Sequence, residues 1–177
     1  MTTVLQSMML LRLSVHRRSK YPKSSMQNTR QEIIGVVLNA AGFAVLATES
    51  NGQPHTSLIA VTPSRDFRQI FFATYRNTLK YSNLSGNNKV ALLMEDGNCN
   101  SEGLKGSVVL TIVGHAEEIN PEENEVPFRA HLKRHPELES FMLSPDCVLV
   151  RVIAHSYQVV NGIDDIRWIT AGELDTI

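Results

Sequence analysis

The stretch Ile70–Met94, IFFATYRNTLKYSNLSGNNKVALLM, constrains the fold of this chain most. Two apolar runs rich in β-branched and aromatic residues, Ile70–Thr74 and Val90–Met94, read as strands flanking a polar segment of helix-forming length. Asn77 or Thr78 is placed to cap that helix, and Lys80 falls in its first turn. Hydroxyls, unpaired backbone N–H groups and an ammonium thus gather at one helix N-terminus. Such a terminus carries partial positive charge and orphan donors, which suits a phosphate. A plain cap beside a solvated lysine fits the same residues, and spacing alone does not separate the two readings.

The flanking sequence is that of an antiparallel meander. Phe43–Thr48 is a strand, Ser50-Asn51-Gly52-Gln53-Pro54 a hairpin turn, and Thr56–Thr62 the return. Alternation puts Leu58, Ala60 and Thr62 on one face and Ser57, Ile59 and Val61 on the other. Pro63–Arg68 then turns the chain into Gln69–Tyr75. Ahead of the meander, Thr29 and Glu32 form a capping box, Ile33, Ile34, Val37, Leu38 and Ala41 share one helical stripe, and Gly42 ends the helix. Behind Lys89–Glu95 come a polar loop over 96–106 and a long strand, Ser107–Glu118. Asn120-Pro121 opens a helical stretch that Pro127 and Pro136 divide, so two short helices are expected across 121–142. Cys147–Val160 is a second long strand, and Ile166–Thr170 a last short one. Consecutive short strands with tight turns predict an all-β barrel or sandwich.

Bulk properties narrow the function. A chain of 177 residues is long enough for one domain with a proper core. No apolar run approaches the roughly 20 residues that span a bilayer. The net charge of −1 hides an asymmetry, because residues 1–31 hold six basic side chains and no acid. The remainder sets eleven basic residues against 18 acidic ones, a balance of −7 that argues against a nucleic-acid binder. Cys99 and Cys147 are isolated and read as reduced thiols, as expected of a cytoplasmic protein. Residues 1–27 show no consistent apolar stripe. Their arginine- and serine-rich composition is that of an organellar transit peptide, while Met26 offers a second start just before the first helix. They are expected to be a disordered or mis-assigned arm, with the folded domain covering 28–177.

Common catalytic signatures are missing. His131 and His135 stand at i,i+4, yet no glutamate follows the first histidine, so a solvated helix face is expected and no metal site. No Ser-His-Asp or Cys-His arrangement has recognisable context, and neither a Walker A nor a GxGxxG is present.

One order of motifs remains. Gly52-Gln53-Pro54, the strand His55–Thr62, a polar turn, the strand ending at Thr74, Thr78-x-Lys80, Asn83-Leu84 and Asn87-Asn88-Lys89-Val90-Ala91-Leu92-Leu93 follow one another. This order resembles the FMN-binding split barrels of the pyridoxamine 5′-phosphate oxidase-like families, firmly over about residues 43–96 and more loosely to about 170. The resemblance implies a mainly β fold, a six-stranded antiparallel split barrel with peripheral helices. It also implies a homodimer with FMN at the interface and a flavin-dependent oxidoreductase acting on an unidentified small molecule. A non-catalytic flavin- or haem-binding protein for storage or sensing, or a haem-degrading enzyme, is the alternative, and a deazaflavin could replace FMN.

By the same resemblance Thr78 and Lys80 meet the flavin phosphate, and Thr74, with Tyr75 beside it, lies near the ribityl chain or ring. The strand bearing Ser57, Leu58 and Ile59 runs beside the isoalloxazine and offers backbone hydrogen bonds. Trp168 stands where some family members place a C-terminal flavin contact, although a Trp closing a barrel end reads equally well. No catalytic residue is named. Where the true oxidases carry a phosphate-binding arginine, a substrate-phosphate lysine and a second arginine, this chain has Ser57, Thr62 and Leu79. The family's C-terminal arginine-x-histidine has no counterpart after Val160. Each missing charge-assisted hydrogen bond is worth roughly 1.5–3 kcal/mol, which makes vitamin B6 phosphate an improbable substrate.

Overall fold

A computed structural model describes residues 30–97, 107–161 and 165–174. The expected N-terminal arm, the Thr29 cap, Cys99 and the turn at 162–164 lie outside the described residues, as does the polar loop beyond Gly97 up to residue 106.

Asn51 and Gly52 have φ of 52° and 80°, the left-handed pair that a two-residue hairpin turn demands. They join β1 (Phe43–Ser50) to β2 (Gln53–Ala60), paired antiparallel from Phe43↔Ala60 to Ser50↔Gln53. At Val61 the chain leaves β1. The Val61 N–H donates to the Gly42 carbonyl, and β3 (Thr62–Pro63) pairs instead with β4 (Gln69–Tyr75). The continuous segment 53–63 therefore borders two different strands, which curls the sheet toward closure.

The remaining strands are β5 (Lys89–Glu95), β6 (Val108–Ile119), β7 (Cys147–Asn161) and β8 (Asp165–Thr170). The sheet has eight strands in the order β2-β1-β5-β6-β7-β4-β3, with β8 also paired to β7. The expected six-stranded split barrel thus gains β3 and β8 as short additions. β7 is long enough to serve two partners on one edge, since β4 pairs with 147–153 and β8 with 156–161. No helix among the described residues is long and apolar enough to cross a membrane.

Two apolar clusters hold the layers together. Leu46, Phe72, Leu92, Leu110, Ile112 and Tyr157 fill the concave side of the sheet. Helix α1 (Arg30–Ala40) adds Ile34, Val37 and Leu38, whose i, i+3, i+4 spacing gives one buried stripe. Each such side chain contributes about 1.5–3 kcal/mol on burial. The second cluster, Phe71, Ile119, Met142 and Leu149, lies on the other face of β4 and β7. It is covered by α3 (Glu125–Arg134) and the single turn α4 (Glu139–Met142), through Phe128, Leu132 and Phe141.

The two short helices expected across 121–142 are present, with α3 starting later than Asn120-Pro121 suggested. Residues 121–123 form a turn first, closed by the Asn124 N–H to the Asn120 carbonyl. Pro127 then falls in the first turn of α3, where no intrahelical donor is required.

The solvated helix face expected at His131 and His135 is overturned. Both imidazoles are buried, at 0% and 4% exposure. The reason is tertiary: α3 packs against β3, and both imidazoles find hydrogen-bond partners there. His131 Nδ1 lies 2.9 Å from Thr62 Oγ1, and His135 Nε2 lies 3.0 Å from the Val61 carbonyl.

Candidate functional site

Helix α2 (Leu79–Gly86) begins at Thr78, whose extended backbone (φ −97°, ψ 150°) stops the helix from starting earlier. The Thr78 hydroxyl donates to the Tyr75 carbonyl at 2.8 Å and accepts from the Tyr81 N–H at 3.4 Å. Thr74 Oγ1 lies 3.1 Å from it. Thr78, rather than exposed Asn77, is therefore the cap. The N–H groups of Leu79 and Lys80 have no acceptor among the described residues, and the half-buried Lys80 side chain makes no hydrogen bond or ion pair there. Capping and phosphate binding are thus compatible: Thr78 holds the helix while two donors and one cation stay uncommitted.

Other contacts fix α2 in place. Buried Asn83 donates to Thr48 Oγ1 at 3.0 Å, locking the helix to β1. On another side, Arg76 donates to Glu118 and to the Tyr81 hydroxyl, both at 2.8 Å, and Tyr81 donates to Glu118 at 2.7 Å. Burial pushes the Glu118 carboxyl up, but its hydrogen bonds from Arg76 and Tyr81 outweigh this and leave it lowered. The hydrogen bond to Glu118 in turn raises the Arg76 guanidinium. Arg76 is next to the cap in sequence, yet its charge is turned onto a carboxylate. Sequence reasoning missed this triad because 42 residues separate Arg76 from Glu118. A cleft of about 140 Å³ opens between Tyr81 and Leu84 of α2 and Ala116, Glu118 and Val150 of the sheet.

The other expected site residues divide between the two faces of the sheet. Ser57 and Ile59 share the concave face with their β1 partners Leu46 and Ala44, and buried Thr74 opposes Val148 there. Leu58 stands on the convex face, 71% exposed. Trp168, 61% exposed, is on that same face. The Tyr75 ring turns away from Thr78 and packs on Phe141, with centroids 4.4 Å apart. Its carbonyl, by contrast, reaches the cap. β2 pairs with β1 alone over 53–60 and comes into contact with β4 and α2. Its outer edge therefore keeps N–H and C=O groups that no strand ladder among the described residues uses.

Register then reveals a relation that no local pattern carries. Leu58↔Val45, Val45↔Leu93, Leu93↔Thr111, Thr111↔Gln158 and Gln158↔Trp168 form one continuous row across six strands. With strands about 4.8 Å apart, Leu58 and Trp168 lie roughly 24 Å from each other along the sheet.

The family described as pyridoxamine 5′-phosphate oxidase matches residues 32–160. No curated protein matches the chain. Among solved structures, a haem binding protein from Mycobacterium smegmatis superposes with a TM-score of 0.76 at 16% identity, over 85% of this chain and 61% of that one. A protein of unknown function from Agrobacterium tumefaciens superposes with a TM-score of 0.68 at 22% identity, over 89% of this chain and 66% of that one. This chain spans less than two thirds of either. A FAD-binding protein from Mesorhizobium loti superposes with a TM-score of 0.55 at 16% identity, over 70% of this chain and 88% of that one. These likenesses establish the split-barrel fold, and the family match covers most of the chain, which therefore belongs to the pyridoxamine 5′-phosphate oxidase family.

Proposed function

We propose that the chain binds FMN at the N-terminus of α2 and serves as a flavin-dependent oxidoreductase for a small molecule, working as a homodimer. The observation that carries this reading is the uncommitted set at that terminus: the Leu79 and Lys80 N–H groups and the Lys80 ammonium. A phosphate satisfies all three at once, and oriented N–H donors with a full charge are the strongest arrangement for it. The open edge of β2 at Ser57–Ile59 supplies donors and acceptors for the polar rim of a flavin ring. Ser57 adds a hydroxyl with no partner among the described residues. A flavin bound there supplies the capacity to accept and release a hydride or single electrons, while the protein contributes orientation and exclusion of water.

The convex row supports the dimer. Leu58, Leu93 and Trp168 are exposed on it, together with Phe43, Val113 and Ile166 elsewhere on the outer surface. Five strand-to-strand steps separate Trp168 from Leu58 of its own chain. A second copy laid across this face brings one chain's Trp168 toward the other's β2 edge, and a stable interface of this kind buries about 2,000 Å² in total.

The substrate is not a pyridoxal phosphate on this reading. Thr62 stands where the true oxidases hold the substrate phosphate by a lysine, and its hydroxyl is engaged by His131. Titration of the purified chain with FMN, FAD and haem, followed by absorbance, tests the proposal, and reduced nicotinamide with an artificial acceptor then reads turnover. One FMN per chain with turnover is expected. A Soret band with no flavin uptake would replace it with the haem-binding reading, in keeping with the Mycobacterium protein.

A further inference from the structure

We infer that His115 and His155 form a binding site for a late first-row divalent transition metal, Cu²⁺, Ni²⁺ or Zn²⁺, on the convex face of the sheet. His115 Nδ1 lies 2.8 Å from His155 Nε2, and the ring centroids are 4.8 Å apart. Neither ring has another hydrogen-bond partner among the described residues. His155 is exposed and His115 half-buried, so both nitrogens can be reached from solvent.

The backbone builds this pair. The β6–β7 register shifts between Val113 and Gly114: Val113 opposes Ser156, Gly114 opposes Ala154, and His155 has no residue opposite it. The shift requires Gly114, because a Cβ there would lie 2.1 Å from the Ile153 carbonyl oxygen. A bulge of this kind re-aims a side chain, and here it turns His155 onto the ring of His115. Both ligands stand on paired strands of a continuous sheet, so little ordering remains for a metal to impose.

The geometry is close to what a metal demands. Two imidazole nitrogens bound cis at about 2.0–2.1 Å stand about 2.9–3.4 Å apart, depending on the bond angle. The observed separation needs to open by only a few tenths of an ångström, with the rings tilted toward a common point. Neutral histidines exchange tautomers freely, so each can present a lone pair to the metal. Imidazole selects copper, nickel and zinc over magnesium and calcium.

No third histidine, cysteine or carboxylate completes the group among the described residues, so water fills the other positions. Lys89 opposes His115 on β5, and the Glu117 carboxylate is occupied by Arg151. The site is also distinct from the apolar row, since His115 lies four residues along β6 from Thr111, about 13 Å.

Calorimetric titration of the full chain with Ni²⁺ and Cu²⁺ at pH 7.5 tests the inference, with His115→Ala and His155→Ala alongside. One metal per chain is expected, with Cu²⁺ the tighter and Mg²⁺ not bound. Either substitution should weaken Ni²⁺ at least tenfold with an unchanged melting temperature. FMN affinity should be the same in both variants, which separates this site from the flavin site. Parental Ni²⁺ affinity in either variant, or no binding up to millimolar metal, would overturn it.

Discussion

Thr62 Oγ1 lies 2.9 Å from His131 Nδ1, tying β3 to α3 across 69 residues of sequence. The imidazole is fully buried, and its Nε2 has no hydrogen-bond partner. Burial, with the nearby charges of His135 and Arg134, holds it down to a pKa of about 4 from 6.5, against a weaker opposing pull from Glu137. The unfolded chain therefore binds a proton at this position more readily than the folded one does. The stability tied to a neutral His131 is present in full above pH 6.5 and drains away as pH falls toward 4, by roughly 2–4 kcal/mol in all. Melting temperature followed from pH 7.5 to 4.5 should drop accordingly, and His131→Gln should flatten the slope. An equal slope in parent and variant would place the acid sensitivity elsewhere.

Gly114→Ala should be among the most damaging single changes. The added Cβ meets the Ile153 carbonyl oxygen at 2.1 Å and its carbon at 3.0 Å, and backbone cannot yield there without breaking the β6–β7 ladder. A loss of about 2 kcal/mol or more is expected in urea denaturation. An unchanged midpoint would mean that the bulge is not needed.

Leu93→Asp should separate assembly from folding. Leu93 is 45% exposed at the middle of the convex row, whereas its neighbour Leu92 is fully buried in the core. The aspartate should turn a sedimenting dimer into a monomer while leaving the melting temperature of the monomer near that of the parent. Leu92→Ala should instead cost about 2–5 kcal/mol whatever the oligomeric state. A parent that already sediments as a monomer at micromolar concentration with flavin present would contradict the proposed interface.

Local features of this fold were legible and long-range ones were not. The Asn51-Gly52 hairpin, the Ile34-Val37-Leu38 stripe and the Thr78 cap each depend on residues within one turn or one helix of each other. The burial of His131 and His135 depends on β3, which meets α3 only in the folded chain. The Arg76–Glu118–Tyr81 triad likewise needs β6 to come back beside α2. The shared face of Leu58 and Trp168 follows from the register of six strands, which no alternation pattern in a single strand reveals. Even so, alternation placed Leu58 opposite in sense to Ser57 and Ile59, and that division survives in the structure.

The most direct measurement is FMN affinity of Lys80→Ala, read by flavin fluorescence beside riboflavin on the same proteins. Lys80 is uncommitted at the start of α2, Arg76 is engaged by Glu118, and Leu79 and Ser57 carry no charge that could take its place. Lys80→Ala should weaken FMN by about 1.5–3 kcal/mol, or roughly 10- to 150-fold, and leave riboflavin almost unchanged because it has no phosphate. Equal FMN affinity in parent and variant would contradict a phosphate site at the N-terminus of α2.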